Sequence, residues 1–187
     1  MNSKAIVNQS HPVDGFVEME GIKGKKLAPF NPSSDAVIQI SLEMLQVVKS
    51  DVVYDLGCGD GRMLVEAVRL SGAQGIGVEY DQKYVDRAEQ RVAEAGMSGQ
   101  VKILHMNVLD ADLVDATALF IYLCPSAMKA LRETLVSLLQ GGARIVTYVF
   151  SLPGLVPVMV KEFKSTKIHL YTQGSISPLG DSACIGD

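Results

Sequence analysis

From residue 51 onward, the hydrophobic and polar positions of the chain alternate between short apolar runs and longer amphipathic segments. Within each run the apolar residues are continuous, which is typical of strands that are covered on both faces of a sheet. The runs span residues 52–56, 75–80, 101–106, 118–123 and 143–150. The pattern therefore predicts five buried β-strands.

The segments between these runs carry apolar residues at helical spacing. One segment covers residues 62–70, and the other two are marked by Tyr84, Ala88, Val92 and Ala95, and by Met128, Leu131, Leu135 and Leu138. Glycines stand where helix C-terminal caps belong, at positions 72, 96, 141 and 142. This regular alternation predicts an α/β fold, with a doubly wound, mostly parallel sheet and helices on both of its faces.

The N-terminal part of the chain departs from this alternation. Residues 1–28 show no clean period, so we predict a loosely ordered leader. Pro29 and Pro32 then hold the chain extended, and Ser33 or Ser34 can cap the helix that follows. The buried stripe of that helix is predicted to consist of Val37, Ile38, Leu42, Leu45 and Val48.

The C-terminal part also changes pattern. Residues 158–163 and 168–172 are apolar segments with no helical pattern between them. We predict an antiparallel hairpin that closes one edge of the sheet. Since the chain shows neither an internal repeat nor a second domain, residues 29–187 are predicted to form a single domain.

Composition fits this fold and narrows the function. With 187 residues, 48% hydrophobic content and 20% charged residues, the chain is expected to fold as one globular domain. The net charge of −4 argues against a surface that binds nucleic acid, because phosphate contacts need clustered lysines and arginines. Cys58, Cys124 and Cys184 have neither the spacing of metal ligands nor that of a disulfide framework.

The sequence also bears on location. Scattered cysteines indicate a reducing compartment. The N-terminal residues have no apolar signal core and no Arg-rich transit pattern, and no apolar run approaches the roughly 20 residues needed to span a bilayer. We therefore expect a cytoplasmic protein without a membrane span. The oligomeric state is left open.

The first turn between a strand and a helix carries the main chemical signal. It reads Asp55-Leu56-Gly57-Cys58-Gly59-Asp60-Gly61, and its glycines let the backbone turn sharply and approach a ligand closely. The carboxylate of Asp55 suits a cationic or amine-bearing ligand better than a pyrophosphate. No Lys-Ser or Lys-Thr pair follows Gly61, which excludes a P-loop. Cys58 is expected to pack inside the turn.

Two further strand ends complete the candidate ligand site. Glu79 follows the glycine turn at close to the offset of about 20 residues where an acidic residue meets ribose hydroxyls, and Tyr80 comes directly after it. Asn107 can accept a hydrogen bond from an adenine amino group while the backbone N–H of Val108 donates to the ring. Asn107 is equally compatible with a turn-forming role.

The fourth strand is predicted to end at the reacting centre, because ligands of open α/β sheets sit outside the carboxyl ends of the strands. No histidine or acidic residue is placed to activate Cys124, so we do not expect it to act as a nucleophile. The candidates for the substrate mouth are Phe30, Asn31, Tyr122, Cys124, Pro125 and Phe150.

The chain resembles the seven-stranded, Rossmann-like methyltransferases of class I. Four features carry this resemblance, in the order in which they occur along the chain: the glycine turn, Glu79, Asn107 and the end of the fourth strand. The resemblance covers about residues 50–172 and implies S-adenosylmethionine as the cofactor. It implies that Asp55, Gly57, Cys58, Gly59 and Gly61 lie near the methionine moiety. Glu79 and Tyr80 would then lie near the ribose, and Asn107 and Val108 near the adenine. No metal is implied.

A closer resemblance uses residues 27–33, the run Gly59-Asp60-Gly61-Arg62, residues 142–146 and residues 150–157. These segments are similar to the lysine methyltransferases that modify mitochondrial ATP synthase subunit c and the adenine nucleotide translocase. The resemblance implies a protein substrate that presents a lysine, and a mitochondrial location as the alternative to the cytoplasm.

Other functions remain open from the sequence. A small-molecule methyltransferase of the same fold is the first alternative, although no inserted cap is long enough to enclose a small substrate. A second is a cofactor-binding subunit without its own activity, which the intact glycine turn and Glu79 disfavour. A third is an NAD-dependent oxidoreductase, for which no Tyr-x-x-x-Lys text is present. Because methyl transfer from a sulfonium requires mainly alignment and exclusion of water, no catalytic triad is expected.

Overall fold

The computed structural model describes residues 32–176. The predictions for residues 1–28 and for Phe30 and Asn31 lie outside this range. The helices are α1 (Asp35–Leu45), α2 (Arg62–Ser71), α3 (Gln82–Glu94), α4 (Pro125–Ala130) and α5 (Arg132–Gln140). The strands are β1 (Val52–Leu56), β2 (Gln74–Glu79), β3 (Val101–His105), β4 (Ala118–Ile121), β5 (Arg144–Tyr148), β6 (Met159–Phe163) and β7 (Thr166–Tyr171).

The seven strands form one sheet in the order β3-β2-β1-β4-β5-β7-β6. Strands β1 to β5 are mutually parallel, whereas β7 runs antiparallel to β5 and β6 antiparallel to β7. The predicted doubly wound sheet and the C-terminal hairpin at its edge are both confirmed. Strand order reverses between β1 and β4, and this switch point opens a crevice at the carboxyl ends of the strands.

Apolar side chains cover both faces of the sheet. On one face, residues of α1, α2 and α3 pack against the inward residues of the strands in a single cluster, represented by Leu45, Leu64 and Val92. On the other face, α4 and α5 contribute Met128 and Leu135 to a second cluster. Helices therefore lie on both faces, as the continuous apolar strands predict.

Two helical predictions need correction. Val48 does not belong to the buried stripe of α1 but is 51% exposed. The helix ends at Leu45 because Gln46 adopts a left-handed conformation with φ of 48°. The pattern over residues 128–138 is also not one helix. The buried Leu131 caps α4 and begins α5 at the same time, which leaves two short helices.

Candidate active site

The glycine turn after β1 is bonded directly to the end of β2. The N–H groups of Gly57 and Cys58 both donate to the carbonyl oxygen of Val78, at 2.8 and 3.1 Å. Gly57, Gly59 and Gly61 have φ values of 83°, 56° and 74°, a left-handed region that favours glycine. The turn therefore has a fixed shape, and its backbone faces the crevice at the switch point. Buried Cys58 packs beneath it, as expected.

Glu79 holds the far side of this turn. Its Oε2 accepts a hydrogen bond from the Gly59 N–H at 2.9 Å, and its Oε1 accepts from the N–H groups of Tyr80 and Asp81 at 2.8 and 2.9 Å. The side chain is 8% exposed. A carboxylate offers about four acceptor positions, so these three bonds leave capacity for a ligand hydroxyl. Glu79 thus stabilises the turn and also offers a hydrogen-bond acceptor in a fixed position.

Asp55 is the most deeply buried acidic residue of the site. It lies in β1 directly before the turn and is 3% exposed. Burial raises the pKa of Asp55 to about 8, with further contributions from the nearby charges of Glu79 and Asp60. Within residues 32–176, this carboxylate has no hydrogen-bond donor. A buried carboxyl group of this kind is stabilised as an anion by a cationic ligand.

Asp60 belongs to an ion-pair network that the sequence did not reveal. Its carboxylate accepts from Nε and Nη2 of Arg62 at 2.9 and 2.8 Å, and from Nη2 of Arg91 at 2.9 Å. Nε of Arg91 also donates to the Asp60 carbonyl oxygen at 2.9 Å. Burial acts to raise the pKa of Asp60, but the two arginines hold it below its ordinary value. Arg91 comes from α3, so the network fastens the turn to that helix.

This network supports a prediction about stability. Replacing Arg91 with methionine is expected to lower the free energy of unfolding by about 1 kcal/mol, since the pair is partly exposed. Arg69→Met is the matched control, because it breaks a two-bond pair with Glu66 on the surface of α2. Urea denaturation should show little or no loss of stability for the control, because its ion pair is exposed to solvent. Equal losses in both variants would contradict a special role for Arg91.

The end of β3 is organised by local hydrogen bonds. Oδ1 of Asn107 accepts from the Leu109 N–H at 3.0 Å and so caps a short 3₁₀ helix, Val108–Asp110. As the first residue of that helix, Val108 has a backbone N–H without an intrahelical partner. Nε2 of His105 lies 3.0 Å from the carbonyl oxygen of Tyr80 and links the ends of β3 and β2. Asn107 therefore has the turn-forming role, and its contact with adenine stays a prediction.

The candidate substrate mouth lies at the ends of β4 and β5. The half-buried Tyr122 follows β4 directly, and its ring packs edge-on against that of Tyr148, with centroids 4.8 Å apart. Sγ of Cys124 lies 3.0 Å from Oγ of Ser126, and Pro125 occupies the first turn of α4. Phe150 is 40% exposed after the end of β5. Sequence reasoning did not identify Tyr148, because its neighbour Tyr122 comes from a distant part of the chain.

Two negative observations concern the part of the chain that the structure covers. No helix within residues 32–176 is long and apolar enough to cross a membrane. The same residues contain no group of three or more His, Cys, Asp or Glu side chains placed to hold a metal ion.

Known proteins share this architecture. A family model described as the ANTKMT methyltransferase domain matches residues 55–159. A protein-lysine N-methyltransferase of Saccharolobus islandicus is 30% identical over 151 residues, which cover 78% of this chain and 94% of that protein. The adenine nucleotide translocase lysine N-methyltransferase of Mus musculus is 30% identical over 143 residues, but the chain spans only 62% of its length.

A solved methyltransferase structure has a similar fold. The RNA methyltransferase from Salinibacter ruber, crystallised with S-adenosylhomocysteine, superposes with a TM-score of 0.73 at 32% identity. The match covers 76% of this chain and 93% of that one. Together with the strand order and the acidic glycine turn, these matches define the chain as a class I S-adenosylmethionine-dependent methyltransferase. Within that class it belongs to the ANTKMT methyltransferase domain family.

Proposed function

We propose that the protein is a protein-lysine N-methyltransferase and that the glycine turn, Asp55 and Glu79 bind its S-adenosylmethionine. The observation that carries the cofactor assignment is Asp55, a buried carboxyl group beside an open backbone turn. S-adenosylmethionine brings a sulfonium and an ammonium group to such a site. These positive charges neutralise the buried carboxylate, whereas a phosphate would repel it. The site therefore favours a cationic ligand over a phosphate.

The remaining contacts follow from the geometry of the strand ends. The methionine end of the cofactor would lie against Asp55 and the turn. The fixed carboxylate of Glu79 would accept from the ribose hydroxyls, with Tyr80 beside them. The adenine would lie at the end of β3, where the Val108 N–H can donate and Asn107 retains a second acceptor position on its oxygen.

The bound cofactor supplies an activated methyl group on sulfur. The chain has to hold the acceptor nitrogen in line with that methyl group and to keep water away, and correct alignment alone lowers the barrier substantially. A lysine must also be neutral to react, and a desolvated mouth lowers the pKa of its amine. The half-buried aromatic residues at the ends of β4 and β5 provide such surroundings.

Similarity to known enzymes supports lysine as the acceptor. The relative from Saccharolobus islandicus, named for lysine methylation, matches over nearly its whole length. The Salinibacter ruber enzyme is named for RNA, which makes RNA the competing acceptor. The net charge of −4 favours a protein, since phosphate contacts need clustered positive charge.

Radiolabelled methyl transfer tests the proposal. The purified protein is incubated with tritiated S-adenosylmethionine and a cell extract, which is then divided into protein, RNA and small metabolites. We expect label in protein, recovered as N-ε-methyllysine after hydrolysis, and a much smaller amount with Asp55→Asn. Label confined to nucleosides or metabolites would overturn the assignment of lysine. Neither labelling nor binding of S-adenosylmethionine would instead indicate a subunit without activity.

The titration of Asp55 predicts how cofactor binding depends on pH. Its pKa of about 8 in the free protein means that a proton must leave before the carboxylate can pair with the cation. Affinity should therefore fall below pH 8, by up to about tenfold per pH unit. Isothermal titration calorimetry between pH 6 and 9 measures this effect. Affinity that stays constant over this range in the wild-type protein would contradict it, whereas Asp55→Asn should show no such dependence.

A further inference from the structure

The pair formed by Tyr122 and Tyr148 stands level with the glycine turn. In the sheet register, Leu56 of β1 is opposite Ile121 of β4, and Ile121 is opposite Thr147 of β5. The next residue of each chain segment is Gly57, Tyr122 and Tyr148, respectively. Since neighbouring strands lie about 4.8 Å apart, Tyr148 is roughly 10 Å across the sheet from the turn.

Both rings also lie on the same face of the sheet as Asp55. Asp55 is opposite Phe120 in the register, and side chains two residues apart along a strand share a face, so Tyr122 follows Phe120 on that face. The two tyrosines pack against the apolar cluster that α1 and α2 cover. They therefore border the space between the glycine turn and α1.

The backbone next to Tyr148 is held in a strained conformation. Val149 has φ of 71°, although it is β-branched. Its N–H donates to the carbonyl oxygen of Lys167, and the N–H of Phe150 donates back to the carbonyl oxygen of Tyr148, both at 2.9 Å. Oγ1 of Thr166 donates to the Phe163 carbonyl oxygen at 2.8 Å, so Oη of Tyr148 donates to Oγ1 of Thr166 at 3.2 Å. Strain of this kind persists where the surrounding structure fixes it, typically at functional sites.

We propose that Tyr122 and Tyr148 together form an aromatic surface, here called the slot, against which the alkylammonium side chain of the acceptor lysine lies, with Tyr148 as a specificity-determining residue. This inference rests on the proposed lysine methylation. The flat rings contact the methylene chain of lysine and exclude water from its amine. During transfer, the Nζ lone pair forms the N–C bond while the C–S bond breaks and its electrons stay on sulfur. Positive charge thus passes to nitrogen, where an aromatic face stabilises it.

Replacing one ring tests the slot. Tyr148→Leu is expected to lower the initial rate of methyllysine formation on extract proteins by about tenfold. Tyr148→Phe keeps the ring. Thr166→Val also keeps it and removes the hydroxyl group that bonds Oη of Tyr148 and the Phe163 carbonyl oxygen, so both variants should stay within about twofold of wild type. The affinity for S-adenosylmethionine, measured by calorimetry, should not change in any of the three. Tyr122→Leu provides a second removal of an aromatic ring if Tyr148→Leu proves unstable.

The outcomes separate the slot from the proposed function. A wild-type protein that forms no methyllysine refutes lysine methylation, and the slot is refuted with it. If the wild-type protein forms methyllysine, leucine variants as active as wild type would overturn the slot alone. So would an equal loss in Tyr148→Phe, because that result would assign the effect to the hydroxyl group.

Discussion

Replacing Asp55 with asparagine is expected to weaken S-adenosylmethionine binding by about 10- to 100-fold while stabilising the cofactor-free protein above pH 8. Binding weakens because the neutral amide cannot pair with the sulfonium and ammonium groups. The free protein gains because it no longer carries an anion that is 3% exposed and near Glu79 and Asp60. A change at a purely structural carboxylate would not move these two quantities in opposite directions.

The sign of the stability change follows from the raised pKa. In the unfolded chain Asp55 loses its proton near pH 4, whereas the native protein holds the proton up to about pH 8. Between these values the native state binds more protons, so the contribution of Asp55 to stability falls as pH rises and levels off above pH 8. Asparagine has no such loss. Its advantage should therefore be largest at pH 8 and above, and about 3 kcal/mol larger at pH 9 than at pH 6.

Thermal unfolding at pH 6 and pH 9, together with calorimetric titration, measures both effects. Asp86→Asn is the matched control, because Asp86 is exposed on α3 and its carboxylate accepts a hydrogen bond from the Gln82 side chain. The control should change neither quantity. An Asp55→Asn variant that binds the cofactor as tightly as wild type would show that Asp55 does not face the ligand.

The second large effect is expected at Gly61, where alanine should lower the free energy of unfolding by about 2–4 kcal/mol. Part of this cost is the left-handed conformation, with φ of 74°. The rest is steric, because an added Cβ would lie 3.1 Å from Cβ and 3.3 Å from Cα of Ala88 on α3. The turn and α3 would have to separate, which would also disturb the Asp60–Arg91 contacts and weaken cofactor binding.

Gly96 offers a matched comparison for this prediction. Its φ is 70°, nearly that of Gly61, but an added Cβ would meet nothing within 4 Å. Gly96→Ala should therefore show the backbone cost alone, about 1 kcal/mol. The difference between the two variants in urea denaturation isolates the contact with α3. If both alanines cost the same, the close packing of the turn against α3 contributes nothing to stability.

Much of the fold was predictable because its determinants are local. The apolar runs correctly predicted all five parallel strands, and β1 was predicted with its observed bounds, Val52–Leu56. The other strands end one or two residues earlier than their apolar runs. Tyr80 and Tyr122 belong to these runs but directly follow β2 and β4, at the carboxyl ends of the strands. Periodicity did not show the break at Leu131, because that residue is buried and keeps the helical spacing on both sides.

The chemistry of the site was predictable only in part. Glycines and an acidic residue next to a strand identified the turn, since these are properties of adjacent residues. Glu79 stabilises the turn through hydrogen bonds from backbone N–H groups. Because every residue except proline has such a group, the sequence does not reveal these bonds. The contact of Arg91 with Asp60 and that of Tyr148 with Tyr122 join distant segments through the tertiary fold.

A crystal structure with S-adenosylhomocysteine tests the central claim most directly. The account predicts its homocysteine end at Asp55 and the glycine turn, its ribose hydroxyls on Glu79 and its adenine beside Val108. Its sulfur should point along the sheet toward Tyr122 and Tyr148. Density for the ligand at any other place, such as the groove at the opposite strand ends lined by Gln74 and Gln100, would contradict it.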